Sequence, residues 1–150
     1  EHVRQQKPHI AVLLETHISG DRAEAACRQI GYNSWRRSEA DGFQGGIWIL
    51  WNSYEIDTAV IQSHEQIVTT QIRQGQDTSW TFTAIYACPR QQEREVLWNE
   101  LQQFGAVVQQ PWLLAGDFNE MVNLEERNHG LLKCFDDVTN LKIGQRTMAL

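Results

Sequence analysis

The sequence has 150 residues, of which 41% are hydrophobic and 21% are charged, so it suits one globular domain and excludes a disordered or fibrous chain. Its 13 basic and 19 acidic residues give a net charge of −6, which argues against a module that holds nucleic acid by neutralising phosphates alone. A metal-dependent nuclease is still compatible with this charge, because a bound cation reverses the field around its acidic ligands.

The cysteines and the apolar segments bear on the cellular setting. Cys27, Cys88 and Cys134 are odd in number, widely spaced and without a CxxC pair, so neither a disulfide framework nor a structural zinc site is expected. A reducing, intracellular setting is the simplest interpretation. No stretch approaches the roughly 18 apolar residues that span a bilayer, so we expect no membrane partner.

The first part of the chain predicts a strand followed by a short helix. HIAVLLE, residues 9–15, is an apolar run too short for a helix, and it ends on a charge. After a Ser-Gly turn signal, apolar residues recur at helical spacing and Gly31 supplies a C-terminal stop. These apolar residues are Ala23, Cys27 and Ile30.

The middle of the chain predicts four strands in succession. Four segments rich in β-branched and aromatic residues are separated by Asn, Asp, Gly and Ser, and the gaps suit antiparallel hairpins. The segments are residues 45–51, 58–63, 66–72 and 79–87. An amphipathic helix is predicted from about Gln91 to Val108, and the buried strand WLLA follows at residues 112–115. This order of elements predicts a mixed α/β layered domain.

The segment PWLLAGDFNEM, residues 111–121, places polar groups directly after an apolar strand. Residues two apart in an extended chain point to the same side, so Asp117 and Asn119 are expected to face outward while Phe118 turns into the core. A carboxylate beside an amide can hold a water or a hard cation and hydrogen-bond a phosphate oxygen. The alternative is a structural turn, because Asx side chains also bond their own backbone.

Glu15 is a second carboxylate at the end of an apolar strand. Together with Asp117 it provides the one or two carboxylates that Mg²⁺ takes from a protein, and the alternative is simply an exposed strand end. Tyr86 closes a strand whose alternate residues form one face, so packing is the alternative to a functional role there. The five histidines have no ligand spacing and are interpreted as surface residues.

Four segments together resemble the endonuclease/exonuclease/phosphatase superfamily, in the branch carried by LINE-type non-LTR retrotransposons and especially those of plants. The segments are AVLLETH, FQGGIWILWN, WTFTAIYACPRQQEREVLWNEL and PWLLAGDFNEM. The resemblance covers about residues 7 to 130, and GDFN after an apolar strand is its most specific motif. It implies a partial four-layer α/β sandwich of mixed, mostly antiparallel sheets with flanking helices over residues 1–130, followed by a divergent tail at 131–150.

The resemblance also implies a role for each candidate residue. Glu15 matches the glutamate that binds the divalent metal, and Tyr86 matches the tyrosine that contacts the scissile phosphate. Asp117 and Asn119 match the pair that positions the attacking water and the phosphate, with Asp117 also assigned to the metal. All four side chains are expected to converge at one rim of a β-sandwich.

The implied reaction is hydrolysis of a DNA phosphodiester assisted by Mg²⁺, with Mn²⁺ as the alternative ion. The cation polarises the phosphate and steadies the leaving oxygen, while a carboxylate aims the water. In the retroelement setting this reaction nicks chromosomal DNA in the nucleus, and the exposed 3′ end primes a reverse transcriptase domain, of which this chain contains no segment.

Two departures from the family pattern shape the functional expectation. The resemblance begins after the family's first strand, which carries an asparagine near the metal, and no Ser-Asp-His element follows Gly130. We therefore expect a fragment with weak or no endonuclease activity as it stands. The alternatives are a non-catalytic remnant of a decayed retroelement gene and a phosphatase of the same superfamily.

Overall fold

The computed structural model describes residues 8–39, 45–75 and 78–119. Within these ranges the chain forms seven strands and two helices. In chain order they are β1 (Ile10–Leu14), α1 (Gly20–Ile30), β2 (Ser34–Ser38), β3 (Ile47–Trp51), β4 (Asp57–Ser63), β5 (Ile67–Gln74), β6 (Thr78–Tyr86), α2 (Gln91–Val107) and β7 (Trp112–Asp117). The predicted boundary at residue 130 and the tail at 131–150 lie outside the described residues.

The first sheet is antiparallel and has the strand order β1-β3-β2. β3 lies in the middle, and all five of its residues are buried. A strand that is covered on both faces needs apolar side chains at every position, which explains why IWILW does not alternate.

β2 is a strand that the sequence did not predict. Its sequence SWRRS has too little apolar character for a pattern of burial to be visible. Trp35 packs against the cluster beneath α1, and on the same face Arg37 forms an ion pair of 3.3 Å with Glu24 of that helix. β2 pairs with β3 and contacts α1, so its strand conformation depends on tertiary contacts rather than on intrinsic propensity.

The second sheet is mixed and has the strand order β4-β5-β6-β7. β4, β5 and β6 form the two antiparallel hairpins that were predicted, and β7 pairs in parallel with β6 after the crossover through α2. The expected hairpin between β3 and β4 is wrong, because these strands belong to different sheets. Both edges of β3 already pair with β1 and β2, so β4 has no place beside it.

Three apolar clusters stack the elements into four layers. The central cluster lies between the two sheets and joins Ile47 and Ile49 of the first to Val68 and Phe82 of the second. Another cluster packs α1 on the outer face of the first sheet, and the third packs α2 on the outer face of the second. The order helix, sheet, sheet, helix confirms the predicted α/β sandwich.

The two helices follow their sequence patterns closely. α1 buries Ala23 and Cys27 and ends at Gly31, whose φ of 105° is the left-handed conformation expected of a glycine cap. α2 buries Leu97 and Leu101 on one face, as its amphipathic pattern predicts. Neither of these helices is both long and apolar enough to cross a membrane.

The strand WLLA is less buried than predicted. Within the described residues β7 pairs with β6 alone, and the Leu113 side chain is 44% exposed. The opposite face is better covered: Trp112 packs edge-on against Phe104 of α2 and donates a hydrogen bond of 2.9 Å to the Thr83 hydroxyl. One face of β7 is therefore anchored, while the burial predicted for the other is only partly realised.

Candidate active site at the strand ends

The candidate residues lie at the ends of β1, β6 and β7. Tyr86 and Asp117 are the last residues of β6 and β7, and the strand register makes them direct neighbours. Because β6 and β7 run parallel, their C-terminal ends share one edge of the second sheet. Glu15 immediately follows β1 of the first sheet.

A hydrogen bond joins the two sheets at this edge. The Tyr86 hydroxyl donates to Oε1 of Glu15 at 2.6 Å, across 71 positions of sequence. Glu15 has a φ of 54°, a left-handed conformation that a side-chain-bearing residue seldom adopts. Such backbone strain persists only where surrounding contacts hold it, and the bond from Tyr86 is one of those contacts.

The surroundings of Tyr86 raise its pKa to about 12. The hydrogen bond to Glu15 is the largest cause, followed by burial and by the negative charges of Glu15, Asp117 and Cys88. The Asp117 carboxylate therefore lies close enough to act on the phenol. At neutral pH Tyr86 is uncharged and serves as a hydrogen-bond donor rather than as a phenolate.

We expect replacement of Glu15 by Gln to lower the Tyr86 pKa from about 12 toward its ordinary value of 10, because the charged acceptor is lost. Ultraviolet absorbance of the phenolate measures this, with Tyr86→Phe identifying which titration belongs to Tyr86. Since the folded-state pKa is raised, the contact stabilises the fold fully below pH 10 and is lost as the pH rises through about 12. An unchanged titration in Glu15→Gln would contradict the assignment.

Asp117, Phe118 and Asn119 form a turn that serves the fold and the candidate site together. The backbone amide of Asn119 donates to Oδ1 of Asp117 at 2.9 Å. Asn119 adopts a φ of 47°, which asparagine tolerates. Phe118 is 6% exposed and stacks on Trp98 of α2. The turn alternative raised by the sequence is thus present, and it leaves the exposed Asp117 carboxylate at the sheet edge with one oxygen held in place.

The Asn119 side chain bonds the protein backbone, whereas the sequence resemblance assigns it to the phosphate. Its side-chain Nδ2 donates to the carbonyl oxygen of Ala87 at 2.6 Å. The donor group of this amide therefore holds the chain that follows Tyr86. The bond brings Asn119 into the same cluster as the other three candidates, and its proposed contact with phosphate stays a prediction.

Two glycines contribute to the site without having been singled out. Gly45 has a φ of 74°, and a Cβ at that position would lie 3.9 Å from the Tyr86 ring, so this backbone passes alongside the ring. Its carbonyl oxygen accepts a hydrogen bond of 3.4 Å from the His17 amide. Gly116 is the residue of β7 directly before Asp117, and its φ is 148°. The Gly-Gly pair before β3 and the glycine of GDFN were the available signals.

The two exposed carboxylates fit a hard divalent cation by their chemistry. Mg²⁺ typically takes one or two carboxylates from a protein and completes its shell with water and substrate oxygens. Glu15 and Asp117 are both exposed and both lie beside Tyr86. Within the described part of the chain, no group of three or more His, Cys, Asp or Glu side chains forms a closed metal site.

Solved structures of known proteins match this chain. No protein-family model matches it, and neither does any curated protein sequence. The endonuclease domain of TRAS1, a telomere-specific non-LTR retrotransposon, matches with a TM-score of 0.59 and 17% identity over 80% of this chain and 52% of its own. TDP2 of D. rerio, solved with a single-stranded DNA product, matches with a TM-score of 0.55 and 14% identity over 88% of this chain and 56% of its own. ANGEL2, a 2′,3′-cyclic phosphatase, matches with a TM-score of 0.57 and 12% identity over 81% of this chain and 42% of its own.

These likenesses concern the fold, because the identities are low. The chain spans about half the length of these three solved structures, from 42% to 56%. The fold implied by the sequence resemblance and the fold of the matched structures are the same. The described residues have the fold of the endonuclease/exonuclease/phosphatase superfamily.

Proposed function

We propose that this chain carries part of a divalent-metal-dependent phosphodiesterase site, of the kind that nicks DNA for a non-LTR retrotransposon. The observation that carries the proposal is the meeting of Glu15, Tyr86 and Asp117 where the two sheets adjoin. The fold shared with the TRAS1 endonuclease domain supports a nuclease, and the DNA product held by TDP2 supports DNA as the substrate.

Glu15 and Asp117 are the residues that would hold the cation. Their carboxylate oxygens are the ligands preferred by Mg²⁺ and Mn²⁺. When bound, the ion supplies positive charge that stabilises phosphate oxygens as negative charge develops on them. The acidic balance of the whole chain, with a formal charge of −6, makes such local positive charge important for holding a phosphate.

The remaining roles follow from hydrogen bonds already in place. Tyr86 is protonated at neutral pH and donates, so its hydroxyl is suited to a phosphate oxygen as well as to Glu15. Asp117 offers a carboxylate to orient water, and the backbone amide of Asn119 fixes one oxygen of that carboxylate before substrate arrives. Groups held in advance cost no reorganisation during the reaction, which is where much of their catalytic value lies.

Calorimetric titration with Mn²⁺ tests the cation site directly. We expect Glu15→Gln and Asp117→Asn each to weaken binding by at least about tenfold, because each removes one charged ligand while preserving side-chain size. Asp57→Asn is the matched control, since Asp57 is also an exposed carboxylate but pairs with Arg73 at 3.3 Å at the start of β4. Equal affinity in all four proteins would refute the cation site.

The choice of substrate separates the proposed function from its alternatives. ANGEL2 in the same fold group is the observation behind a phosphatase. A phosphatase would release inorganic phosphate from a phosphorylated substrate and leave supercoiled plasmid intact. A non-catalytic remnant would do neither, even where it binds Mn²⁺.

A further inference from the structure

Gln66 lies where the pairing between β5 and β6 ends. The last paired residues are Ile67 and Ile85, and Gln66 immediately precedes β5. Its side chain is polar, yet the residue is only 8% exposed. A buried amide lowers stability unless its polar atoms are hydrogen-bonded, so the partners of Gln66 indicate its role.

Gln66 holds the segment that carries Tyr86 by two alternate backbone amides. Its backbone oxygen accepts from the Tyr86 amide at 2.9 Å, and its side-chain Oε1 accepts from the Cys88 amide at 2.7 Å. Its Nε2 donates to the carbonyl of Glu93 in α2 at 3.3 Å. The side chain therefore takes the place of the backbone carbonyl that a longer β5 would supply, and it continues the ladder beyond the last residue pair.

The other side of the same segment is held from β7. The Ala87 amide donates to the backbone oxygen of Asp117 at 2.8 Å, and the Ala87 carbonyl accepts from Asn119. Successive amides of an extended chain point in opposite directions, so Tyr86 and Cys88 face Gln66 while Ala87 faces β7. The segment is thus clamped between two strands just where Tyr86 leaves the sheet.

We propose that Gln66 is a positioning residue that keeps the Tyr86 hydroxyl on Glu15 and so maintains the candidate active site. The hydroxyl lies at the far end of a long side chain, so a small rotation of the backbone at Tyr86 disrupts its 2.6 Å contact. The significance of Gln66 for catalysis rests on the proposed function. Its effect on the contact between Tyr86 and Glu15 does not.

Replacement of Gln66 by Met tests the inference, because Met fills a similar volume without the amide hydrogen bonds. We expect the NMR signal of the ring carbon that bears the Tyr86 hydroxyl to move in Gln66→Met toward its position in Glu15→Gln, because both replacements release this hydroxyl from the Glu15 carboxylate. Gln71→Met is the matched control: Gln71 is a half-buried glutamine of β5 whose side chain bonds Ser79, away from the Tyr86 segment. This control should leave the Tyr86 ring-carbon signal where it is in the unmodified chain.

A Tyr86 ring-carbon signal that does not move in a folded Gln66→Met protein would overturn the inference. Should that variant not fold, hydrogen exchange in the unmodified chain decides the matter. The Cys88 amide should then exchange as slowly as the buried Val68 amide of β5, and exchange at the rate of an open loop would refute the bond from Gln66. Neither measurement needs metal or DNA. The inference about Gln66 can therefore fail while Mn²⁺ still binds, and it can hold while Mn²⁺ does not bind.

Discussion

Replacing Gly116 by alanine is expected to destabilise the protein by about 3 kcal/mol or more. A Cβ at Gly116 would lie 1.9 Å from the carbonyl oxygen of Ile85, far inside any permitted contact. That oxygen belongs to β6, the hydrogen-bonded neighbour of β7, so relief of the clash disrupts the pairing of the two strands. The φ of 148° adds a conformational cost that only glycine avoids. Urea denaturation of the variant beside the unmodified chain measures the loss.

Gly31→Ala separates the two contributions to this loss. Gly31 also has a positive φ, 105°, but a Cβ there would have no neighbour within 4 Å. It should lose only the backbone contribution, about 1 kcal/mol. Equal losses in both variants would show that the steric argument is incorrect. A larger loss at Gly116 would mean that the glycine of GDFN is required by the close approach of β7 to β6, directly before Asp117.

The purified 150-residue chain is expected to show no robust nicking of supercoiled plasmid in Mg²⁺. Hydrolysis requires a held cation, an aimed water and neutralisation of the phosphate charge, and removing one preorganised donor typically lowers the rate by about 10²–10³. The described residues contribute two carboxylates, a phenol and an amide to the candidate site. No Ser-Asp-His sequence occurs in the chain, so this polypeptide does not supply the support for the phosphate and the proton transfer that the resemblance implies.

Conversion of supercoiled to open-circular plasmid is the measurement, with Asp117→Ala prepared in parallel. A contaminating nuclease acts equally in both preparations, so only activity that disappears in Asp117→Ala belongs to the chain. Such Mg²⁺-dependent activity would contradict the prediction and show that the groups described here suffice for cleavage. It would also exclude the non-catalytic alternative.

Most of the helices and strands could be predicted because local sequence patterns indicate which of their side chains are buried. The apolar run of β3 and the amphipathic face of α2 each report which side chains leave water, and both elements are found where expected. β2 could not be predicted in this way, because Arg36 and Arg37 give it no apolar pattern and pairing with β3 forms it. Burial of Leu113 was overestimated because a sequence pattern does not report how many neighbours a strand obtains.

In the candidate site, too, local patterns predict some features while others depend on contacts between distant residues. The sequence by itself determined that Glu15 and Asp117 follow apolar strands and that Phe118 turns inward, because the period of an extended chain assigns side chains to faces. Only the tertiary structure decided that Glu15 meets Tyr86 across the two sheets, and that Gln66 and Asn119 clamp the segment after Tyr86. Those contacts join residues that are between 22 and 71 positions apart. Hydrogen bonds over such separations depend on how sheets stack and strands pair, and no local property of Gln66 distinguishes it from the other glutamines of the chain.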